Sequence, residues 1–347
     1  MLVRSDADVL FDGFPGLLWA VRFDAEGRAT PMEAGDPMEP GEHHGWRWLH
    51  FNQSDARSAQ SIARLALSED AREALLSHDT HVILQRQEDG AYGVFVDWEH
   101  QRAGGTAPRA PGHHDGLGWL HFAIGGGDGL LVTARRQPLR SVETVRRQLC
   151  AGERCSHPAR VLEAIAEHFA DSVERATDDL SDSLDRIEDR VLADAIGDER
   201  RDLASLRHQS VRLHRPLTAM RRVLKQFEQR HAPDEDEDEL LPVASRLGQR
   251  FDDLDGDVST LQERARLLQD EVAAKLAERT NTHLYVLSMI TALLLPPSLV
   301  VGVFGMNLHG LPFADHRAGA SAALVLGLLS SLAVYLILRR LGVSRST

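Results

Sequence analysis

Residues 282–313 read THLYVLSMITALLLPPSLVVGVFGMNLHGLPF. From Leu284 to Gly305 no side chain is charged, and at about 1.5 Å per residue of helix the run spans the ~30 Å hydrocarbon core of a bilayer. A second uncharged run, Ala318–Leu338, follows a short polar link and ends against Arg339 and Arg340. Residues 282–347 are therefore expected to form a two-helix membrane domain in contact with lipid. The link between the spans carries the tripeptide Gly305-Met306-Asn307.

Working back from the first span, no helix breaker stands between Pro242 and Pro296. Leu247, Phe251, Leu254, Val258, Leu261, Ala265, Leu268 and Val272 step by four and three, a heptad seam. The spacing predicts one stalk helix from about residue 240 that runs on into the membrane. Within the span, Asn281, Ser288, Thr291, Ser298 and Gly302 fall in an arc of about 100°, with Leu284 and Leu295 between them. Polar groups in a bilayer are costly unless they meet water or a partner. Thr and Ser can bond back to their own helix, so it is the arc, more than any one member, that signifies. Followed down the stalk, the same face passes Ala277, Ala274, Asp270, Leu267, Glu263, Thr260, Gly256 and Asp253, roughly opposite the seam. Several copies around an axis would turn that face into a lumen with rings of Asp253, Glu263 and Asp270. Two spans cannot enclose a water-filled path alone, so a pore here requires an oligomer. The second span, with Gly319, Gly327, Ser330 and Ser331 for close packing, suits the outer, lipid-facing position.

Upstream of the stalk, residues 158–239 read as a helical hairpin. Val161, Ile165, Phe169, Val173, Leu180, Leu184, Ile187 and Val191 share one face, Gly197 interrupts, and a second helix from Glu199 to about Arg230 carries Pro216, which is expected to kink it or cost it a hydrogen bond. The six acidic residues 234–239 read as a solvated loop rather than a metal-collecting tip. Residues 1–157 read as an α+β domain, a mixed sheet flanked by helices. The expected strands are Leu17–Phe23, Trp46–Asn52, His81–Gln87, Tyr92–Trp98, Gly118–Ile124 and Leu130–Arg135; the expected helices are Asp55–Leu67, Glu69–Ser77 and Val142–Cys150. Glu88-Asp89-Gly90 and Gly125–Gly129 read as hairpin turns. The second is no phosphate loop, because a strand follows it rather than a helix with Lys-Ser/Thr.

Composition narrows the function. With 52 acidic and 39 basic residues the formal charge is −13, which argues against nucleic acid and suits cations. Cys150 and Cys155 make neither a zinc site nor a disulfide framework and are expected to be reduced. The opening MLVRSDADVLFDGF has no apolar run of signal-peptide length. Lys275 and Arg279 precede the first span and Arg339, Arg340 and Arg345 follow the second, so both termini are expected in the cytoplasm with the link outside. A membrane-anchored enzyme or metal sensor finds little support. There is no nucleotide loop, no Cys-His pair and no set of metal-spaced cysteines, and His43-His44 and His113-His114 are neighbours whose side chains would diverge on a strand.

The tripeptide Gly305-Met306-Asn307 at the outer end of the penultimate span, a final span near the C-terminus, and an acidic domain on a long stalk together resemble the CorA family of divalent-cation transporters. GMNLHGLPF, with Leu-Pro-Pro-Ser upstream, looks most like its ZntB zinc-transporter branch, and similarity extends through RFDDLDGDVSTLQERARLLQDEV and WRWLHFNQSDARSAQ. The resemblance implies a funnel-shaped homopentamer in the cytoplasmic (inner) membrane, without enzymatic activity or resident cofactor. It implies uptake of Zn²⁺ (with Ni²⁺, Cd²⁺ and Co²⁺ as further candidates), in that branch by proton coupling, with a CorA-type magnesium or cobalt channel as the alternative. By position Asn307 would form the outer ring that receives a hydrated cation, while Asn281 and Asp270 match pore-lining or funnel positions. The magnesium branch tends to carry acidic residues after the tripeptide; here Leu308-His309-Gly310-Leu311 stands instead. His309 departs from the small residue expected there, and a role as a metal ligand competes with a solvated loop position.

Overall fold

The computed structural model describes residues 13–33, 35–36, 45–88, 90–99, 116–125, 129–193, 197, 199–231, 239–306 and 319–340. By contact density the chain divides into two compact units, Met1–Leu267 and Leu268–Thr347.

The first unit is built on a seven-stranded mixed sheet of β1 (Leu17–Phe23), β2 (Ala29–Pro31), β3 (Trp46–Asn52), β4 (Ile83–Gln87), β5 (Gly90–Trp98), β6 (Leu117–Gly125) and β7 (Leu130–Arg135), in the order β2-β1-β3-β7-β6-β5-β4. Every neighbouring pair is antiparallel except β3 and β7, which run parallel from Arg47 opposite Leu130 to Asn52 opposite Arg135. Both expected hairpins form, β4 with β5 and β6 with β7. β5 is almost wholly buried, because the sheet is covered on both faces. Leu49, Phe51, Ala123, Val132 and Ala134 pack with Ile62 of α1 (Ser58–Ile62) and Ala71 and Leu75 of α2 (Glu69–Leu76). Alternate residues Trp48, Phe95, Leu120 and Phe122 point the other way. On that face Asp97 reaches Ser141 at the start of α3 (Arg140–Cys150).

The sequence expectation of a helix over Asp55–Leu67 is corrected to the single turn of α1. Leu65 and Leu67 are both buried, and residues two apart on a helix point roughly 200° from each other, so one helix could not send both into the same core. The three-residue edge strand β2 had no expectation in the sequence.

Helices α4 (Pro158–Leu192) and α5 (Glu199–Arg230) follow, then α6 (Leu240–Gly305), 66 residues and about 100 Å long. The α4 face read from periodicity is buried at each of its eight positions. Pro216 lies inside α5, which continues through it. In the second unit α6 continues through Pro296 and Pro297, and α7 (Gly319–Arg340) completes the chain. Helices α6 and α7 are each long and apolar enough to cross a membrane. Cys150 and Cys155 are both free thiols.

Candidate ion pathway

Helix α6 has two contrasting faces. All eight seam residues, Leu247 through Val272, are buried. Charge fixes the rotation of the stalk within the first unit. Against α4, Arg246 pairs with Glu163 at 2.7 Å, Arg250 with Glu174 at 2.6 Å and Arg264 with Asp185 at 2.7 Å. Against α5, Asp252 receives Arg221 at 2.9 Å and Lys225 at 3.2 Å. Asp255, only 6% exposed, accepts from the Thr218 hydroxyl at 2.9 Å and pairs with Arg221 at 3.3 Å. Buried carboxylates of this kind are tolerated because each has a charged or hydroxyl partner. The clamps leave the opposite face outward: Asp253, Gly256, Thr260, Glu263, Leu267, Asp270, Ala274, Ala277 and Asn281 are all exposed.

In the second unit, the side of α6 toward α7 is set by half-buried Tyr285, Met289, Ala292, Leu293, Pro296, Pro297, Val300 and Phe304. A Cβ placed on Gly327 of α7 would lie 3.6 Å from Pro297, and the Ser331 hydroxyl donates to the Leu293 carbonyl at 2.5 Å. At ~100° per residue this face is centred about 140° from the arc of Asn281, Ser288, Thr291, Ser298 and Gly302. Each residue of the arc is exposed, as are Leu284 and Leu295 among them. The polar arc thus points away from the protein's own second span.

Thr291 and Ser298 donate their hydroxyl protons to the carbonyls of Leu287 and Leu294, at 2.8 and 2.7 Å. Back-bonding satisfies the hydroxyl inside a bilayer, and it has a chemical consequence. With the proton turned inward, the oxygen offers only lone pairs outward. That suits the hydrogens that a hydrated cation's water shell presents.

Gly305 is the last residue of α6, and Met306, 60% exposed, bonds back through its N–H to the Val303 carbonyl at 3.4 Å. Asn307 and His309 lie outside the described residues, as do residues 234–238 of the acidic run and both histidine pairs. Among the described residues, Asp253, Glu263 and Asp270 form no cluster with one another, as their spacing along a single helix dictates, and no group of three metal-ligating side chains assembles.

The buried titratable groups of the sheet serve its interior. His50 stacks on Trp19 and shares a 2.7 Å hydrogen bond with the Thr133 hydroxyl; burial, with Arg135 and Arg146 nearby, holds its pKa well below the ordinary histidine value. Asp97 takes the Ser141 hydroxyl at 2.6 Å and the Ser141 N–H at 2.9 Å, capping a helix whose own N-cap residue, Leu139, has no acceptor to offer. Burial pushes the Asp97 carboxyl up to about 6. Sequence reasoning singled out neither group. It also treated Ser331 as a small packing residue, with only the double proline opposite it as a signal of more.

The sequence profile of the family described as "CorA-like Mg2+ transporter protein" matches residues 43–340. The chain is 27% identical over 308 residues to the zinc transport protein ZntB of Pectobacterium carotovorum subsp. carotovorum (strain PC1), covering 88% of this chain and 89% of that one. In fold it is similar to the full-length CmaX protein, with a TM-score of 0.73 at 22% identity over 94% of this chain and 98% of the other. It is likewise similar to the CorA magnesium transporter of Methanocaldococcus jannaschii, with a TM-score of 0.69 at 18% identity over 92% and 97%.

Proposed function

Because this chain belongs to the CorA-like family of metal-ion transporters and is a membrane protein, we propose that it carries Zn²⁺ across the cytoplasmic membrane into the cell, as a homopentamer whose first spans surround the path. The observation that supports this most is the exposed face of α6 through the span, polar and small and turned away from α7. In an oligomer that face lines the axis and α7 faces lipid.

On this reading a hydrated cation meets a ring of Asn307 amides first. Neutral amide oxygens accept bonds from its inner waters without stripping them, which avoids most of the dehydration cost. Along the span, the hydroxyl oxygens of Ser298 and Thr291 present acceptors, Ser288 adds another hydroxyl, and Gly302 leaves room for the water shell. At the cytoplasmic end Asn281 and then the Asp270, Glu263 and Asp253 rings draw the cation down by charge. The basic residues flanking the spans, Lys275, Arg279, Arg339 and Arg340, support an orientation with both termini inside.

Zinc is favoured by the named activity of the ZntB relative, by the absence of carboxylates in Leu308–Leu311, and by the imidazole of His309, two residues after Asn307 in the sequence. Ni²⁺, Cd²⁺ and Co²⁺ share that chemistry. A second reading, a magnesium or cobalt channel, is supported by the family description and by the acceptor-only oxygens of the span, which suit a hard, fully hydrated ion. The deciding experiment is metal uptake into liposomes carrying the purified protein, with and without an imposed pH gradient. Zinc entry that grows with an inward proton gradient is the expected result. Magnesium flux without zinc flux would replace the first reading by the second.

A further inference from the structure

Two consecutive prolines interrupt the hydrogen-bond ladder of α6 in the middle of its membrane span. In an unbroken helix the N–H of residue 297 would bond to the carbonyl of Leu293; Pro297 has no N–H to give. A carbonyl left unpaired in hydrocarbon is costly, and a neighbouring helix is one source of a replacement donor. Here that donor is Ser331. Its Oγ lies 2.5 Å from the Leu293 carbonyl oxygen, the very group that Pro297 leaves without a partner.

Three features make this more than small-residue packing. Thr291, Ser298 and Ser330 donate within their own helices, whereas Ser331 donates across to the other. Gly327, one turn before Ser331, lies against Pro297, where an added Cβ would already be in van der Waals contact at 3.6 Å. Ala323, Gly327, Ser331, Val334 and Leu338 step by four, four, three and four along the α6-facing stripe of α7, so the hydroxyl sits in the contact, opposite the break.

We propose that Ser331 is a positioning residue of the conduction helix: its hydroxyl replaces the amide that Pro297 lacks and so fixes the outer segment of α6. That segment, Pro297–Gly305, holds Ser298 and Gly302 and leads into the tripeptide. The effect on flux rests on the transport reading above, whereas the hydrogen-bond replacement does not.

The test compares full-length wild type with Ser331→Ala, Ser331→Thr, Pro297→Ala and the double variant Pro297→Ala/Ser331→Ala. Zinc uptake in liposomes is one readout, and the thermal unfolding midpoint of the detergent-solubilised protein is the other. Ser331→Ala is expected to cut the maximal rate severalfold and lower the midpoint, and Ser331→Thr, which keeps a hydroxyl, to retain both. Pro297→Ala restores the backbone amide, so in that background Ser331→Ala should change neither. A Ser331→Ala variant equal to wild type overturns the proposal, as does a defect that persists undiminished beside Pro297→Ala, since packing alone would then account for it. If no variant, wild type included, moves zinc, the transport reading has failed, and the coupling between the two substitutions in the midpoint still decides the role of Ser331.

Discussion

Asp97 and His50 are buried within one sheet, and their ionisation pulls stability in opposite directions. The Asp97 carboxyl, raised from 3.8 to about 6 by burial, favours the folded state most when protonated. Its contribution is complete below pH ~4 and is lost as the pH rises through ~6, on the order of 3 kcal/mol at ~1.36 kcal/mol per unit. His50, held neutral by burial and nearby arginines, contributes above its ordinary value of 6.5 and loses that contribution on acidification. In wild type the two slopes oppose each other as the pH falls through ~6. Asp97→Asn leaves only the histidine slope, so tryptophan-detected urea unfolding should show this variant losing stability more steeply on acidification; parallel curves would mean that Asp97 titrates normally. For the residues of the proposed path, selectivity and attraction are expected to separate. Asn307→Ala should nearly abolish zinc flux at any ionic strength, because a neutral coordination ring is not screened. Asp270→Ala should lower flux mainly at low salt, because a charged ring acts over a distance that shrinks from ~30 Å at 0.01 M to ~10 Å at 0.1 M. Wild-type flux from assembled Asn307→Ala would reduce the tripeptide to a structural turn.

At the scale of elements, α6 performs two tasks with one periodicity. Its seam is buried in both units, and Phe251, fully buried and stacked near Phe169 at 6.2 Å, is central to the first unit. Phe251→Ala should destabilise that unit by about 3–5 kcal/mol, the usual cost of emptying a buried aromatic site, read as a lowered urea midpoint. Equivalent changes on the opposite face, such as Thr260→Ala, should be nearly silent in the same measurement. Charge complementarity with α4 and α5 settles which way the acidic face looks, because turning the helix would break the Arg246, Arg250 and Arg264 pairs together. Within the membrane, Gly327→Ala should be tolerated and Gly327→Leu should drive α7 from Pro297, with loss of assembled protein on size-exclusion chromatography.

For the whole molecule, the proposed lumen face of α6 has meaning only in an assembly. Native mass spectrometry in detergent is expected to show five copies, and a monomer or dimer would remove the physical basis of a pore. The sequence by itself determined the two spans, the stalk, the buried seam and its polar opposite, the helical hairpin, and six of the seven strands. Each of these is written in a local signal: a charge-free run, a period of 3.5 or 2, or a turn former at the right interval. The tripeptide was legible for a different reason, as a short motif whose position relative to two spans makes it specific. Tertiary structure alone decided the rest. That β3 lies parallel beside β7, some eighty residues away in the chain, follows from how the sheet closes its core, and no local pattern encodes it. The strand β2 is too short to carry a period. The capping of α3 by Asp97 and the pairing of Ser331 with the carbonyl that Pro297 leaves open each join a side chain to a backbone group brought to it by folding. A sequence shows which groups lack partners; only the folded chain shows who supplies them.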